Sequence, residues 1–349
     1  IQDEPPKKSN VVKYSTVPTN AISISISPKY IISTHLQMSS SPSSSSPFKA
    51  DCLKGKVALI TGGGSGIGYA ITETLLSHGC STVIILGRRL NFLQSSAQTL
   101  QSTVCKGDQK VLYKTCDVRN AQSCIEAVEY AVQQNGGKGK TLDILVNGAA
   151  GNFLVEAKDL KPKGFKTVLE IDTIGTFNMC HAAHPYLSNS KSGCIVNISA
   201  TLQYGATWYQ CHASAAKSAV DSLTRSLALE WGAHGIRVVG IAPGPIANTP
   251  GTTKLAPGVD GSVIEEMIAE GIPLGRMGKG VDIGMTVVFL CCDSAGGYIT
   301  GDTIVVDGGH WLYKPPMVPR DMVAELSRNV EKKSRDMKPG SNINMASKL

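Results

Sequence analysis

The chain has 349 residues, which is long enough for one large α/β domain with a substantial core. Its formal charge of +7 lies in residues 1–50 and 313–349, so residues 51–312 carry no net charge. This distribution and an aromatic content of only 5% argue against a nucleic-acid-binding face. No run of about 18 apolar residues predicts a membrane span.

The ten cysteines give no metal-binding pattern, because they include neither a CxxC pair nor a Cys/His pair at zinc-ligand spacing. Cys291 and Cys292 are adjacent and therefore poorly placed to bridge each other. We expect reduced, mostly buried thiols, which are typical of a reducing compartment.

Residues 1–50 are rich in Ser, Lys, Pro and Asn and include the serine-rich run Ser39–Ser46. Such a segment buries too little apolar surface to offset its ordering entropy, so we expect a disordered or non-native extension. Met38 is a candidate start of the natural chain. A transit peptide is the alternative, which Asp3, Glu4 and the lack of Arg disfavour.

From Lys54 onward, short apolar runs alternate with amphipathic segments of helical length. Seven such runs predict a doubly wound, mostly parallel α/β sheet with helices on both faces, spanning residues 51–312. The predicted strands are Val57–Thr61, Thr82–Leu86, Val111–Thr115, Leu142–Asn147, Cys194–Ile198, Ile236–Ile241 and Thr303–Val306.

A glycine-rich turn follows the first predicted strand and opens a predicted helix. Glycines let the backbone turn tightly and approach a pyrophosphate, while the helix N-terminus supplies amide donors and a positive dipole. The turn therefore predicts a dinucleotide site. Its candidate residues are Gly62, Gly63, Gly64, Ser65, Gly66, Ile67 and Gly68.

The second predicted strand ends at Gly87-Arg88-Arg89, where an NAD-preferring protein usually carries Asp or Glu. A guanidinium at this position can pair with a ribose 2′-phosphate, which favours NADPH. A solvated pair of arginines is the alternative.

The spacing TGxxxGxG in Thr61–Gly68 resembles the short-chain dehydrogenase/reductase family, and the resemblance extends from about Lys54 to Gly309. It implies a Rossmann-type domain and three further cofactor contacts. The implied contact with the adenine is Asp117-Val118. The segment implied to lie against the cofactor is Asn147-Gly148-Ala149, and the one implied to lie beside the nicotinamide carboxamide is Pro243-Gly244-Pro245-Ile246.

Ordinary members of this family reduce a carbonyl with a Tyr four residues before a Lys, supported by a Ser and an Asn. Here Lys217 is present, but Ala213 stands at the Tyr position, Ala200 at the Ser position and Asp172 at the Asn position. Ketone and alcohol chemistry is therefore disfavoured. The Asp172/Lys217 pair resembles the peroxisomal dienoyl-CoA reductase branch, which implies that the pair holds a proton-donating water and that Lys217 binds the nicotinamide ribose.

The implied activity is NADPH-dependent reduction of 2,4-dienoyl-CoA to 3-enoyl-CoA, in the β-oxidation of unsaturated fatty acids. Leu202 stands where mitochondrial enzymes of this activity carry a Tyr, so the chain resembles the peroxisomal, plant-type branch. Two alternatives stay open. One is a trans-2-enoyl-CoA reductase of the same fold. The other is an NADPH-sensing protein without catalysis, and the presence of both Asp172 and Lys217 argues against it.

Several side chains are candidates for binding the acyl-CoA substrate. Arg88 and Arg119 suit CoA phosphates, although a solvated charge is the alternative for Arg119. A structural role is the alternative for His212, and Tyr204 and Tyr209 are candidate replacements for the lost phenol. Residues 250–280 are the predicted substrate loop, with a lid helix over Val263–Glu270. The remaining substrate candidates are Asn152, Phe153, Phe177, Asn178 and Ser214.

Residues 313–349 predict a C-terminal helix and tail. The spacing of Met322, Val323, Leu326 and Val330 predicts an amphipathic helix within Asp321–Met337 that packs on the domain or on a neighbouring subunit. The tripeptide Ser347-Lys348-Leu349 matches a peroxisomal matrix address that an import receptor reads. Resemblance to the family further implies a homotetramer built through the long helices.

Overall fold

The computed structural model describes residues 48–134, 141–190, 192–249, 251 and 261–336, with strands and helices in alternation. The central strands are short and buried along their whole length, as expected for strands covered on both faces. The strands are β1 Val57–Thr61, β2 Thr82–Gly87, β3 Lys110–Thr115, β4 Ile144–Asn147, β5 Gly193–Ile198, β6 Ile236–Pro243 and β7 Thr303–Val306.

The helices follow the strands as crossover connections. Local sequence explains some of their ends: the Asn120 side chain, for example, accepts a hydrogen bond from the Ser123 N–H and so caps the third helix. The helices are α1 Gly66–Ser77, α2 Leu90–Thr103, α3 Ala121–Gln133, α4 Pro162–Leu169, α5 Gly175–Ser188, α6 Cys211–Trp231, α7 Gly261–Glu270, α8 Gly280–Cys291, α9 Asp293–Gly296 and α10 Val323–Arg335.

All seven strands are parallel and lie in the order β3-β2-β1-β4-β5-β6-β7. The doubly wound fold predicted from the sequence is therefore confirmed. The strand order reverses between β1 and β4, and ligands of such sheets bind outside the carboxyl ends of the strands at this point. The glycine-rich turn after β1 lies there.

Two apolar cores cover the two faces of the sheet. Alternate strand residues contribute to each: Ile60 and Ile85 pack on the face that carries α1, α2 and α8, whereas Leu59 and Ile84 pack on the face that carries α3, α5 and α6. Burying one such side chain contributes about 1.5–3 kcal/mol to stability, so both cores hold the strand ends in place.

The predicted C-terminal helix forms, but it does not pack on the core. None of the residues of α10 is buried, and Met322, Val323 and Val330 are all exposed. The preceding segment is itself exposed and contains Pro315 and Pro316, which prevents it from joining a strand or helix. Packing on the domain is therefore wrong, while packing on a neighbouring subunit stays a prediction.

In the described part of the chain, no helix has both the length and the apolar character needed to cross a membrane. Among the same residues, no group of three or more His, Cys, Asp or Glu side chains is arranged to hold a metal ion.

Candidate active site

The turn between β1 and α1 forms a backbone cradle. Gly62 has a φ of +69°, and a Cβ there would lie 2.8 Å from the Gly148 oxygen. A Cβ at Gly68 would collide with the backbone of Gly62. The N-cap residue of α1, Ser65, makes no side-chain capping bond, and no acidic residue lies in the first turn. This arrangement fits the pyrophosphate of a dinucleotide, whose negative charge the helix N-terminus favours.

The end of β4 is fastened beside this cradle. Thr61 Oγ1 accepts hydrogen bonds of 3.0 Å from the N–H groups of both Gly148 and Ala149. The Asn147 side chain points into the core, where its Nδ2 donates to Asn197 Oδ1 at 2.9 Å. Asn147 therefore fixes the strand end, and the backbone of Ala149 remains beside the cofactor cradle.

The arginines after β2 are in different environments. The Arg89 guanidinium lies 4.3 Å from the centre of the Phe92 ring, a cation–π contact next to Gly64. Arg88 is exposed, and within the described residues it makes no hydrogen bond or ion pair. Arg88 is therefore the guanidinium that is available to a phosphate.

Asp117 and Arg119 bind each other. Arg119 Nε donates to Asp117 Oδ1 at 2.9 Å, and Arg119 Nη2 donates to Oδ2 at 2.5 Å. These hydrogen bonds lower the pKa of Asp117. Between them, Val118 is buried, and its carbonyl oxygen accepts a 2.9 Å hydrogen bond from Asn178 Nδ2. Asn178, a predicted substrate residue, thus fixes the backbone beside the predicted adenine contact.

The segment after β6 closes the cofactor side of the site. The Gly244 N–H donates to the Val306 oxygen at 3.1 Å, and a Cβ at Gly244 would lie 2.5 Å from that of Asp307. Ile246 is buried and forms a bridge with Gly278. The predicted Pro243–Ile246 contact thus lies on a rigid edge of the sheet, next to β7.

Asp172 lies on a single π-helical turn, Glu170–Ile174, between α4 and α5. Turns of this kind are rare and are frequent at functional sites. Asp172 Oδ1 accepts a 2.7 Å hydrogen bond from the Gly151 N–H. Its Oδ2 lies 3.1 Å from Lys217 Nζ, and the Asp172 side chain is only 1% exposed.

Lys217 joins this carboxylate to the end of β5. Its Nζ donates to the Ile198 oxygen at 2.9 Å, and the residue is buried. Although Asp172 Oδ2 is paired electrostatically with Lys217, it makes no hydrogen bond within the described residues. A buried oxygen of this kind normally binds water or a ligand, so the pair retains one acceptor position.

The place of the ordinary catalytic phenol is filled by apolar side chains. Ala213 is 2% exposed and packs with Val168 and Ala216, and Leu202 lies against the same cluster. These residues supply no hydroxyl group, and Ala213 and Ala216 lie on α6, the helix that carries Lys217. This position therefore supplies no proton donor of the kind that a carbonyl reductase uses.

Neither tyrosine that was a candidate replacement makes a hydrogen bond to Asp172 or Lys217 within the described residues. Tyr204 packs against Trp311, with ring centres 5.6 Å apart. Burial and the nearby Asp221 raise the pKa of Tyr204 to about 12. Tyr209 is 50% exposed and has a φ of +64°, a strained conformation for a residue with a side chain.

A buried polar network behind the site has no counterpart in the sequence prediction. Ser199 Oγ donates to Asp221 Oδ1 at 2.5 Å, and Gln203 Nε2 donates to Asp221 Oδ2 at 2.6 Å. The network fixes the turn after β5, and within it the Ser199 hydroxyl is bound to Asp221. Each residue type is common in loops, so only the fold brings them together.

The segment after β4 forms one wall of the site. Asn152 Nδ2 donates to Gln210 Oε1 at 2.5 Å, and the Phe153 ring centre lies 4.3 Å from that of His212. Gln210, which sequence analysis did not single out, is buried and precedes α6. The start of α6 and residues 151–153 thus lie together beside the Asp172–Lys217 pair.

The remaining substrate candidates are less closely tied to that pair. Phe177 is 43% exposed on α5, with its ring 5.9 Å from that of His181. Ser214 is half-buried in the first turn of α6. The predicted lid forms a helix, Gly261–Glu270, but residues 250 and 252–260 of the substrate loop lie outside the described residues.

Comparison with known proteins gives consistent results. Residues 62–310 match a family model described as enoyl-(acyl carrier protein) reductase. The chain is 52% identical over 299 residues to a peroxisomal 2,4-dienoyl-CoA reductase of Arabidopsis thaliana that produces (3E)-enoyl-CoA, covering 83% of this chain and 96% of that protein.

A protein of the same name from Danio rerio is 42% identical over 285 residues, covering 81% of this chain and 91% of its own length. Among solved structures, a short-chain dehydrogenase from Bacillus anthracis superposes with a TM-score of 0.64 at 33% identity. The match covers 76% of this chain and all of that one.

Proposed function

The chain belongs to the short-chain dehydrogenase/reductase family, and we propose that it reduces 2,4-dienoyl-CoA to 3-enoyl-CoA with NADPH. The observation that carries this proposal is the buried Asp172–Lys217 pair, set in a site whose ordinary phenol position is apolar. The relatives named 2,4-dienoyl-CoA reductase support the same reaction.

The reaction requires a proton at carbon rather than at a carbonyl oxygen. When bound, the reduced nicotinamide supplies a hydride to the far carbon of the diene. We propose that Asp172 Oδ2, which makes no hydrogen bond, holds a water together with Lys217, and that this water protonates the carbon next to the thioester. Gly151 and the Ile198 oxygen keep the pair in position, because each binds one member.

We propose that residues 51–312 form the NADP-binding domain and that NADPH, rather than NADH, is the physiological cofactor. A nicotinamide cofactor follows from the family, and the preference for NADPH rests on the free Arg88 guanidinium and the absence of an acidic residue at the end of β2. The backbone cradle of Gly62–Gly68 would hold the pyrophosphate, and Lys217 the nicotinamide ribose.

We further propose that the protein acts in the peroxisomal matrix, in the degradation of unsaturated fatty acids. The relatives from Arabidopsis thaliana and Danio rerio are both named peroxisomal. Recognition of Ser347-Lys348-Leu349 by an import receptor stays a prediction, because these residues lie outside the described part. A reporter carrying this tripeptide at its C-terminus tests it, with Leu349 deleted as the control.

The deciding experiment is NADPH oxidation by the purified protein with 2,4-hexadienoyl-CoA and 2,4-decadienoyl-CoA. The matching 2-enoyl-CoA thioesters and NADH serve as controls. We expect rapid turnover only with the dienes and NADPH. Preference for the 2-enoyl thioester would instead favour a 2-enoyl-CoA reductase, and tight NADPH binding without any turnover would favour an NADPH sensor.

A further inference from the structure

His212 is a buried imidazole without a hydrogen-bonding partner. It lies in the first turn of α6, five residues before Lys217, and is 0% exposed. Neither Nδ1 nor Nε2 has a hydrogen bond within the described residues. A buried polar group without a hydrogen bond lowers the stability of the fold by about 1–3 kcal/mol. Such a group in a native protein therefore calls for an explanation, such as a catalytic role.

The Phe153 side chain covers His212 and can move, because it lies in an irregular segment. The Phe153 ring lies 4.3 Å from the imidazole and is itself 39% exposed. It belongs to a segment without regular secondary structure, between β4 and α4, whereas His212 is held in a long helix. Displacing Phe153 would therefore open the imidazole without disturbing the core.

The reaction requires a hydrogen-bond donor for the oxygen of the thioester. As the hydride adds, negative charge collects on the thioester oxygen, and donors aimed at such an oxygen are a major source of catalysis. Two other buried atoms of this site that make no hydrogen bond within the described residues are Asp172 Oδ2 and Asn152 Oδ1, and both are acceptors. Asn152 Nδ2 donates to Gln210, and Lys217 Nζ donates to Ile198 and pairs with Asp172. His212 is the residue among these whose side chain makes no hydrogen bond at all within the described residues.

Resting on the function proposed above, we infer that His212 donates a hydrogen bond to the thioester oxygen of the bound dienoyl-CoA after Phe153 has moved aside. Hydride addition forms a C–H bond at the far carbon of the diene and shifts a π electron pair onto this oxygen. The carbon next to the thioester then takes a proton from the water held by Asp172 and Lys217. His212 keeps its proton, while the diene is reduced and the nicotinamide oxidised.

The test uses a complex that cannot turn over, formed from the protein, NADP⁺ and 2,4-hexadienoyl-CoA. A hydrogen bond to the thioester oxygen polarises the conjugated chain, so its ultraviolet absorption moves to longer wavelength on binding. We expect this shift in the wild type and its loss in His212→Leu, with the ligand still bound. In turnover, His212→Leu should lower kcat about 10²- to 10³-fold, with KM changed only a few-fold.

Two further variants separate this role from a structural one. His212→Gln retains an N–H donor and should restore part of both the absorption shift and kcat. His234→Leu, at an exposed position in the short 3-10 turn that follows α6, should behave as the wild type. The inference is overturned if His212→Leu binds the diene with an unchanged absorption shift or turns over with an unchanged kcat. Failure of the wild type to reduce any dienoyl-CoA would instead overturn the proposed function.

Discussion

The carboxylate of Asp172 and the ammonium of Lys217 form a buried ion pair, with Oδ2 and Nζ 3.1 Å apart. Removing one member of such a pair leaves an uncompensated charge and costs about 3–5 kcal/mol of stability. The two side chains therefore depend on each other for folding as well as for the chemistry proposed here.

Asp172→Asn should lower kcat for a dienoyl-CoA about 10²- to 10⁴-fold, because the amide no longer supports the proton-donating water. Lys217→Ala should in addition weaken NADPH binding, measured by fluorescence titration. Asp108→Asn, at an exposed carboxylate, is the control and should leave both values unchanged. Wild-type turnover in both site variants would contradict the assigned roles.

Restoring the family's tyrosine should fail. Ala213 is packed against Val168 and Ala216, so Ala213→Tyr overfills the cluster and should lower the free energy of unfolding by about 1–3 kcal/mol. Urea unfolding measures this loss, with Ala121→Tyr at an exposed position as the control. We expect no ketone reduction by the variant, and a stable variant that reduces ketones would refute this account of the site.

Arg88→Glu should reverse the cofactor preference. The lost hydrogen bonds to a charged 2′-phosphate are each worth about 1.5–3 kcal/mol, so kcat/KM for NADPH should fall at least about tenfold. The value for NADH should stay constant or rise, because Glu can bind the ribose hydroxyl. Lys106→Glu makes the same charge change at an exposed site. Equal losses for both cofactors would show that Arg88 does not read the phosphate.

Arg119→Ala tests the CoA contact. Because solvent screens exposed ion pairs, the Asp117–Arg119 pair can open at little cost when a phosphate arrives. The variant should raise KM for the dienoyl-CoA about tenfold, the effect of one charged hydrogen bond. KM for the corresponding pantetheine thioester, which lacks the nucleotide phosphates, should not change. A parallel rise for both substrates would place Arg119 outside the phosphate site.

Phe153→Ala should change the titration of His212. Burial lowers the pKa of His212 below the ordinary 6.5, although Asp172 opposes this effect. Removing the Phe153 ring should therefore raise the pKa of His212 toward 6.5. NMR of labelled histidine measures this pKa, and the His212 signal is assigned by its absence in His212→Gln. Asp172→Asn should lower it further. An unchanged pKa in Phe153→Ala would show that Phe153 does not shield the imidazole.

The same shift links His212 to acid stability. Since the folded-state pKa lies below the unfolded one, unfolding takes up a proton, and the native state loses stability as the pH falls below about 6.5. His212→Gln removes this contribution. The variant should therefore lose less unfolding free energy than the wild type between pH 7 and pH 5, as measured by urea denaturation at each pH. Equal losses would mean that His212 is not buried in the neutral form.

The central strands could be predicted from the sequence because each is buried on both faces and thus forms a continuous apolar run, whereas the edge strands β3 and β7 are only partly buried. The prediction for β4 began two residues early, at Leu142 instead of Ile144. Leu142 is apolar and buried, but its N–H donates to the Tyr186 oxygen rather than to a neighbouring strand. Burial alone does not show whether a backbone N–H bonds to a neighbouring strand or to another part of the fold.

Motif spacing identified Asp172 and Lys217, but it could not show how they are held. The π-helical turn around Asp172 leaves no local pattern in the sequence, because it depends on packing against α6 and residues 151–153. The mutual binding of Asp117 and Arg119 and the missing partners of His212 are likewise consequences of the three-dimensional arrangement. Residue types suggested candidates, and tertiary contacts decided what each side chain does.

The position of β4 beside β1 also bears on how the chain is made. On a ribosome, β1, β2 and β3 emerge first, and β1 keeps one edge unpaired until residues 144–147 have been synthesised. Pairings between strands so distant along the chain form slowly, and an exposed strand edge during that delay invites aggregation. One edge of β1 therefore stays exposed on the nascent chain until β4 arrives, and the cofactor cradle is completed by the same event.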